Sequence, residues 1–293
     1  MWLRSMVIDN IKASIPFVDA ARLIKRRMVP YTDNASNSRL ALTQGLDQIR
    51  MLRAAGAVSW EDVLEIGTGW VPTVPLLFHI AGARSTVLAD IERLMDDATV
   101  AIARRLVIAE AEHIAAALEM TPEAVGGRLA EPWNPTYLVP WDIAKQAAAS
   151  VDIVVSRAVF EHIPEPILEN YLRELQRIVR PGGMMCHVID NSDHWEHRDK
   201  SISRLNFLRF DDGLFWKFSC FNKQNFQNRM RHSDYIALFE RTGWQVVAAV
   251  GEPDATALQA LRQLPLAAKF RAKSHHDLAI LTSGFVVQRG AAA

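Results

Sequence analysis

The sequence predicts an α/β protein built on a seven-stranded, mostly parallel sheet with helices on both faces and its last strand antiparallel. Three observations carry this reading. From Asp62 onward, short apolar runs alternate with helical patterns. Within VDIVV (151–155), four of five residues are apolar and β-branched, as a strand covered on both faces requires. VLEIGTG (63–69) runs from a strand directly into a Gly-x-Gly turn.

Taken in order, strands are expected at 63–66, 85–90, 136–140, 152–156, 184–190, 244–250 and 278–288. Helical patterns lie between the early runs, at 95–119 and 166–180. In the second, Ile167, Leu168, Tyr171, Leu172, Leu175, Ile178 and Val179 fall on one stripe, and Pro181-Gly182-Gly183 stops it. No strong helix stands beside the last run, so it is expected to pair antiparallel at the sheet edge. Ahead of the first strand, residues 2–28 read as two short helices broken at Pro16, 31–38 as a polar loop, and 40–56 as an amphipathic helix closed by Gly56. Residues 1–59 are therefore expected to form a helical cap or lid on a main domain at 60–293. That domain carries an insertion at 191–233, rich in His, Asn, Arg and Phe.

Composition narrows the class. The 293 residues are 49% hydrophobic and 23% charged, as in an ordinary globular protein with a full core. Lys+Arg and Asp+Glu both total 33, so no global basic surplus draws in nucleic acid or an acidic membrane. The run Lys25-Arg26-Arg27 reads as a solvated helix face. Cys186 and Cys220 are too few for a disulfide framework or a cysteine-rich metal centre. Arg4, Asp9 and Lys12 interrupt the N-terminal stretch, and no apolar run is long enough to span a bilayer. The expectation is a soluble, cytoplasmic-type protein.

Chemistry concentrates where strands end. Gly67 and Gly69 allow a tight turn and a close approach to a ligand. A dinucleotide fingerprint would have a third glycine at position 72, where this chain has Pro72. Glu65, at the end of the strand, would repel a pyrophosphate and attract a cation. Asp90 closes the second run, 21 residues beyond Gly69, where an acid can accept both hydroxyls of a ribose. Trp141-Asp142 follow the third run and can flank an adenine ring and its amino group. After the fourth come Ser156, Arg157, Glu161 and His162, before Pro164 and Pro166. Singly, each has a plainer use: Asp90 as a helix cap, Glu65 as partner of a loop amide, Glu161 paired with a base, His162 as a packed histidine.

Together, EIGTG, Asp90, Asp142, DIVVSRAVFEHI and LRELQRIVRPGG resemble the class I S-adenosylmethionine-dependent methyltransferases of small-molecule type. The resemblance covers roughly 60–190, and 244–288 more loosely. It implies a Rossmann-like fold and S-adenosylmethionine as cofactor. By position it assigns Glu65, Gly67, Thr68 and Gly69 to the loop under the methionine part, Asp90 with Ile91 to the ribose edge, and Trp141 with Asp142 to adenine. Ser156, Arg157 and His162 come to the methionine end. Arg39 and Gln44, near the start of the helix before the first strand, are candidates for the methionine carboxylate. The departure is Trp70-Val71, where many members have another glycine at position 71. It keeps open a non-catalytic cofactor-binding or scaffold protein of the same fold. A nicotinamide-dependent oxidoreductase is disfavoured by Pro72 and Glu65.

A sulfonium carries its own activation, so alignment of the acceptor is the main demand, with a base only where a proton must leave. Asp190, His194 and His197 are the candidates for that role. His187, Asp190, Asp193, His194 and His197 also invite a metal hypothesis, but a straight strand turns His187 and Asp190 to opposite faces, and no metal is expected. The aromatic residues of 205–235 can stack bases, roof an apolar pocket or simply pack the insertion. With balanced charge, the expected partner is a small-molecule or lipid-like acceptor, with no nucleic acid. The first sixty residues supply a lid or a homodimer contact.

Overall fold

The computed structural model describes residues 1–14, 31–57, 60–221 and 225–290. The second expected N-terminal helix and the Lys25-Arg26-Arg27 run lie outside these. In chain order the elements are α1 (Trp2–Ala13), α2 (Ala35–Ala54), β1 (Asp62–Ile66), α3 (Thr73–Ile80), β2 (Ser85–Ala89), α4 (Asp97–Ala109), α5 (Ala111–Leu118), α6 (Pro122–Ala130) and β3 (Thr136–Leu138). There follow β4 (Val151–Arg157), α7 (Glu165–Ile178), β5 (Val179–Asp190), α8 (Leu214–Ser219), α9 (His232–Arg241), β6 (Trp244–Val250), α10 (Ala255–Leu261), α11 (His275–Ala279) and β7 (Thr282–Arg289).

The seven strands lie in the order β3-β2-β1-β4-β5-β7-β6. The first five pair in parallel, and β7 inserts antiparallel between β5 and β6. Strand order reverses between β1 and β4, which opens a crevice at their carboxyl ends. Register fixes what faces it: Glu65 lies beside Val155, and Ile66 beside Ser156.

Alternation along the strands separates two cores. Val63, Ile153, Val155 and Cys186 join Leu42, Leu46, Ile49 and Leu52 of α2 and Leu76, Leu77 and Ile80 of α3 on one face. Leu64, Val154, Met185 and Phe285 join Leu168, Leu172, Leu175 and Ile178 of α7 and Leu238 and Phe239 of α9 on the other. Each leucine of the α7 stripe is fully buried, worth about 2 kcal/mol in transfer free energy.

Several expected boundaries move, each for a local reason. Helix α2 begins at Ala35 because Asn34 caps it, accepting from the amides of Ser36 and Asn37. Its stripe of Leu42, Leu46, Ile49 and Leu52 packs into the main core beside the sheet. The 95–119 pattern is two helices, parted at Glu110, the first held by a capping box between Asp96 and Thr99. Pro181-Gly182-Gly183 stops α7 but sits inside β5, beside a register shift against β4. Leu278 and Ala279, expected in the last strand, form part of α11, capped by Ser274.

The insertion has a core of its own, with Leu205, Phe207, Leu208 and Trp216 against Leu261, Phe270 and Leu278. Helix α1 rests on it. Trp2 touches Trp195, Phe210 and Phe215, and its backbone amide donates to Asp199 at 2.7 Å. Among the described residues, no helix is long and apolar enough to cross a membrane.

Candidate active site

The loop after β1 is shaped by backbone contacts. Gly67 has φ +75°, and an added Cβ would stand 2.3 Å from Val159 Cγ2, so only glycine lets the β1 and β4 loops close together. Its amide donates to the carbonyl of Ala89 at 2.7 Å. At Gly69, φ is +68° and an added Cβ would meet nothing, so the loop faces open space there. The Gly69 amide donates to Asp90 Oδ2 at 2.9 Å, and Asp90 Oδ1 accepts from Ile91 at 2.7 Å and Glu92 at 3.2 Å. Three donors thus fix the carboxylate while leaving lone-pair capacity. Ile91 beside it is 79% exposed. The Trp141 amide donates to the Asp90 carbonyl at 2.9 Å, which sets the third loop against the second, and its indole Nε1 is buried without a partner.

Glu65 is 5% exposed, and Oε2 and the nearby Thr68 Oγ1 are both buried without a hydrogen-bond partner. Burial raises the Glu65 carboxyl to about 7, against the opposing pull of Thr68 and Arg157. On the same face, Arg157 Nη1 donates to Gln44 Oε1 at 3.3 Å, reaching across from β4 to α2. Arg157 stands in the field of Glu65, Glu161 and Asp190. Glu65, buried with an unpartnered oxygen, is an acceptor suited to a cationic ligand.

Ala158 closes β4 in the left-handed region, φ +53°, and turns the chain into Phe160–His162. A non-glycine residue there costs on the order of 1 kcal/mol, and such strain gathers at functional sites. The far end of the insertion clamps this turn: Asn228 Nδ2 donates to the carbonyls of Phe160 and Ile163 at 2.8 and 3.0 Å. His162 Nδ1 lies 2.8 Å from the carbonyl of Phe226. Because a carbonyl only accepts, Nδ1 carries the proton and Nε2 keeps a lone pair. His194 stands 4.9 Å from His162 and 5.2 Å from His197, ring centre to ring centre. Its Nε2 lies 3.4 Å from Asp190 Oδ2. Burial works to raise the Asp190 carboxyl, but His194 and the Ser192 donors overcome it and hold it down at about 2.

This arrangement, a Gly-x-Gly turn at the switch point with an acid ending the next strand and a buried carboxylate below, has a counterpart in sequence. Residues 39–249 match the family described as methyltransferase domain. The chain belongs to the S-adenosylmethionine-dependent methyltransferases. Among solved structures, a methyltransferase from Mesorhizobium loti shares 14% identity with this one, covering 84% of this chain and all of that one, with a TM-score of 0.47. Magnesium protoporphyrin IX methyltransferase from Synechocystis PCC 6803, solved with S-adenosylhomocysteine, also shares 14% identity, over 96% of this chain and all of that one, at 0.48. No curated protein matches the sequence.

The residues of this methyltransferase fit its cofactor. The open space at Gly69 among the described residues, the Asp90 carboxylate beside it, and the buried Glu65 with an unpartnered oxygen are what a cationic adenosyl ligand would occupy. Glu65, Gly67, Thr68, Gly69, Asp90, Ile91 and Trp141 gather on the β1 and β2 side of the crevice, and Arg157 faces them from β4.

Other expected residues lie elsewhere. Ser156 is turned to the opposite face, its Oγ 2.8 Å from Nδ1 of the buried His187, because alternation puts it out of phase with Arg157. Asp142 caps the short turn after it, accepting from Ala144, and pairs with Lys145 at 3.1 Å. Arg39 pairs with Glu110 at 3.4 Å on the surface, so of the α2 pair only Gln44 reaches the crevice. Asp193 is buried, accepting from the Trp195 amide at 2.9 Å and from Asn206 Nδ2 at 3.3 Å. His187 packs 4.1 Å from Phe160, ring centre to ring centre. Gln48 went unrecognised. Buried in α2, it donates to the carbonyls of Ser156 and Cys186 at 3.0 and 2.9 Å, tying β4 to β5. Its signal was a lone amide within an apolar helical stripe.

Proposed function

We propose that this methyltransferase acts on a small-molecule acceptor held over the carboxyl ends of β4 and β5, beneath the 191–233 insertion. The observation that carries the proposal is the polar cluster of buried Glu161 with half-buried Arg157, His162, Asp190 and His194, clamped from above by Asn228 and the Phe226 carbonyl. A cluster enclosed in this way suits a compact acceptor better than a polymer. Of the insertion aromatics, Phe207 and Trp216 are packed inside, with Arg229 over Trp216 at 3.8 Å, whereas Phe215, Phe218 and Phe221 are partly exposed.

S-adenosylmethionine, when bound, supplies an activated methyl group for direct displacement by the acceptor. In this reading the Gly67–Gly69 loop passes under its methionine part, and Asp90 holds its ribose. Glu65 meets its ammonium group, and Arg157 with Gln44 orients its carboxylate. Asp190, held ionised, accepts a hydrogen bond from the acceptor and orients it for attack, with His194 beside it and His197 stacked on the His194 ring. Alignment does most of the work, because a fixed in-line approach removes much of the entropic barrier.

The test is release of S-adenosylhomocysteine across a panel of phenols, carboxylates, amines and thiols, with RNA and protein substrates in parallel. Turnover of a small acceptor, reduced by about 100-fold or more in Asp190→Asn, is the expected result. Turnover of a macromolecule alone would overturn the proposal.

A further inference from the structure

One carboxylate in the acceptor half has no evident work to do. Glu161 is 2% exposed, and neither of its oxygens accepts a hydrogen bond. The backbone amides of Glu161 itself and of Asp190 come near without reaching bonding geometry. An uncompensated buried carboxylate is costly and needs a positive partner or a proton. Its neighbours provide a setting for a partner. One ligand-capable atom from each of Glu161, His162 and His194 lies within 4.8 Å of the other two.

The histidines are prepared in the same sense. The Phe226 carbonyl takes the Nδ1 proton of His162, leaving Nε2 as a free lone pair, the way a metal-binding imidazole is usually oriented. His194 Nε2 is buried without a hydrogen-bond partner, and Asp190 Oδ2, 3.4 Å away, is a further oxygen donor. Ligands about 2.1 Å from a common ion lie some 3.4 Å apart, so the cluster must contract by about an ångström. His194 stands at the head of a short turn in the insertion, where a side-chain rotation can supply that movement.

The geometry points to a divalent transition-metal site formed by Glu161, His162 and His194, with Asp190 adjoining. Two imidazole nitrogens and one carboxylate suit Zn²⁺, Co²⁺, Fe²⁺ or Mn²⁺, and leave positions open for a further ligand. Mg²⁺ and Ca²⁺, which prefer oxygen throughout, suit it poorly. The sequence suggested a different set. Of its five candidates only His194 is among the three ligands, because His187 and Asp193 are buried elsewhere and His197 stands behind His194. If the acceptor binds where proposed above, the open positions would take one of its oxygens; that use rests on the proposed function, whereas ion binding does not.

The experiment titrates Co²⁺ into tag-free, chelator-treated protein and follows visible d–d absorption together with thermal stability. One equivalent should bind, raise the melting temperature, and give the spectrum of a nitrogen- and oxygen-ligated site. His194→Ala and, separately, His162→Gln should each weaken binding by about tenfold or more. Glu161→Gln should do the same, and if that variant does not fold, His194→Ala on the insertion decides. S-adenosylhomocysteine, added to the same samples, reports folding and the cofactor site independently of the ion. Absence of Co²⁺ binding, unchanged affinity in His194→Ala, or an equal response to Mg²⁺ would overturn the inference.

Discussion

The two halves of the crevice are built in different ways. The proposed cofactor half is held largely by backbone amides, Gly67 on the Ala89 carbonyl, Trp141 on the Asp90 carbonyl and Gly69 on the Asp90 carboxylate, each contact joining the ends of neighbouring strands. The proposed acceptor half is held by contacts brought from distant segments, with the Phe226 carbonyl on His162 and Asn228 over the Phe160–His162 turn. A half made from backbone and glycine fits a group that never changes. A half made from contacts with an insertion can be altered for a new acceptor without disturbing the first.

The strongest way to break the contrast is Gly67→Ala. Its Cβ would collide with Val159, and its positive φ disfavours any side chain. A stability loss of about 3 kcal/mol, read by chemical denaturation, is expected together with loss of cofactor binding. Val159→Ala in the same chain should recover part of that loss. Asp90→Ala should follow, weakening S-adenosylmethionine by about 2–3 kcal/mol in calorimetry as the loop anchor and ribose acceptor go together. Asp90→Asn, which keeps a carbonyl acceptor, should lose less.

Glu65 sharpens the contrast through pH. Its carboxyl titrates near 7 in the free protein, and a bound cation favours the ionised form. Cofactor affinity should therefore rise about tenfold between about pH 6 and about pH 8, and Glu65→Gln should flatten that rise. Stability of the free protein has the opposite sign. A carboxyl raised by folding contributes stability below its unfolded value, near 4.5, and loses it as pH climbs through 7. At pH 8 the Gln variant should thus melt a few degrees higher while binding cofactor less well.

Smaller effects test the boundary between the halves. Gln44→Ala removes a 3.3 Å bond to Arg157 and should cost about 1 kcal/mol in cofactor or acceptor binding. Arg39→Ala breaks only a surface pair and should change binding and stability by less than about 0.5 kcal/mol. A large effect at Arg39 would mean that α2 reaches the crevice farther toward its start than the structure shows.

The fold, with the glycine turn and the acids at its strand ends, was legible in the amino-acid order for one reason. It is written in short spacings: strand periodicity, Gly-x-Gly at a strand end, an acid at the next strand end, a helix stripe ended by Pro-Gly-Gly. The helix at 35–54 was legible as a helix but not as core. Whether a stripe of Leu42, Leu46, Ile49 and Leu52 covers the sheet or a neighbouring domain depends on what stands opposite. Alternation foretold that His187 and Asp190 diverge, yet the same rule, applied to Ser156, separates it from Arg157.

What the sequence by itself determined is therefore the sheet, its switch point and the carboxylates and glycines at its edge, because these follow from residues within a few positions of one another. Only the tertiary structure decided which histidines meet. Glu161 and His162 precede His194 by about thirty residues, and Phe226 follows by as many again. Their meeting depends on how the insertion folds back over β4 and β5. That path is set by its own apolar core and by Asn228, and no local pattern encodes it.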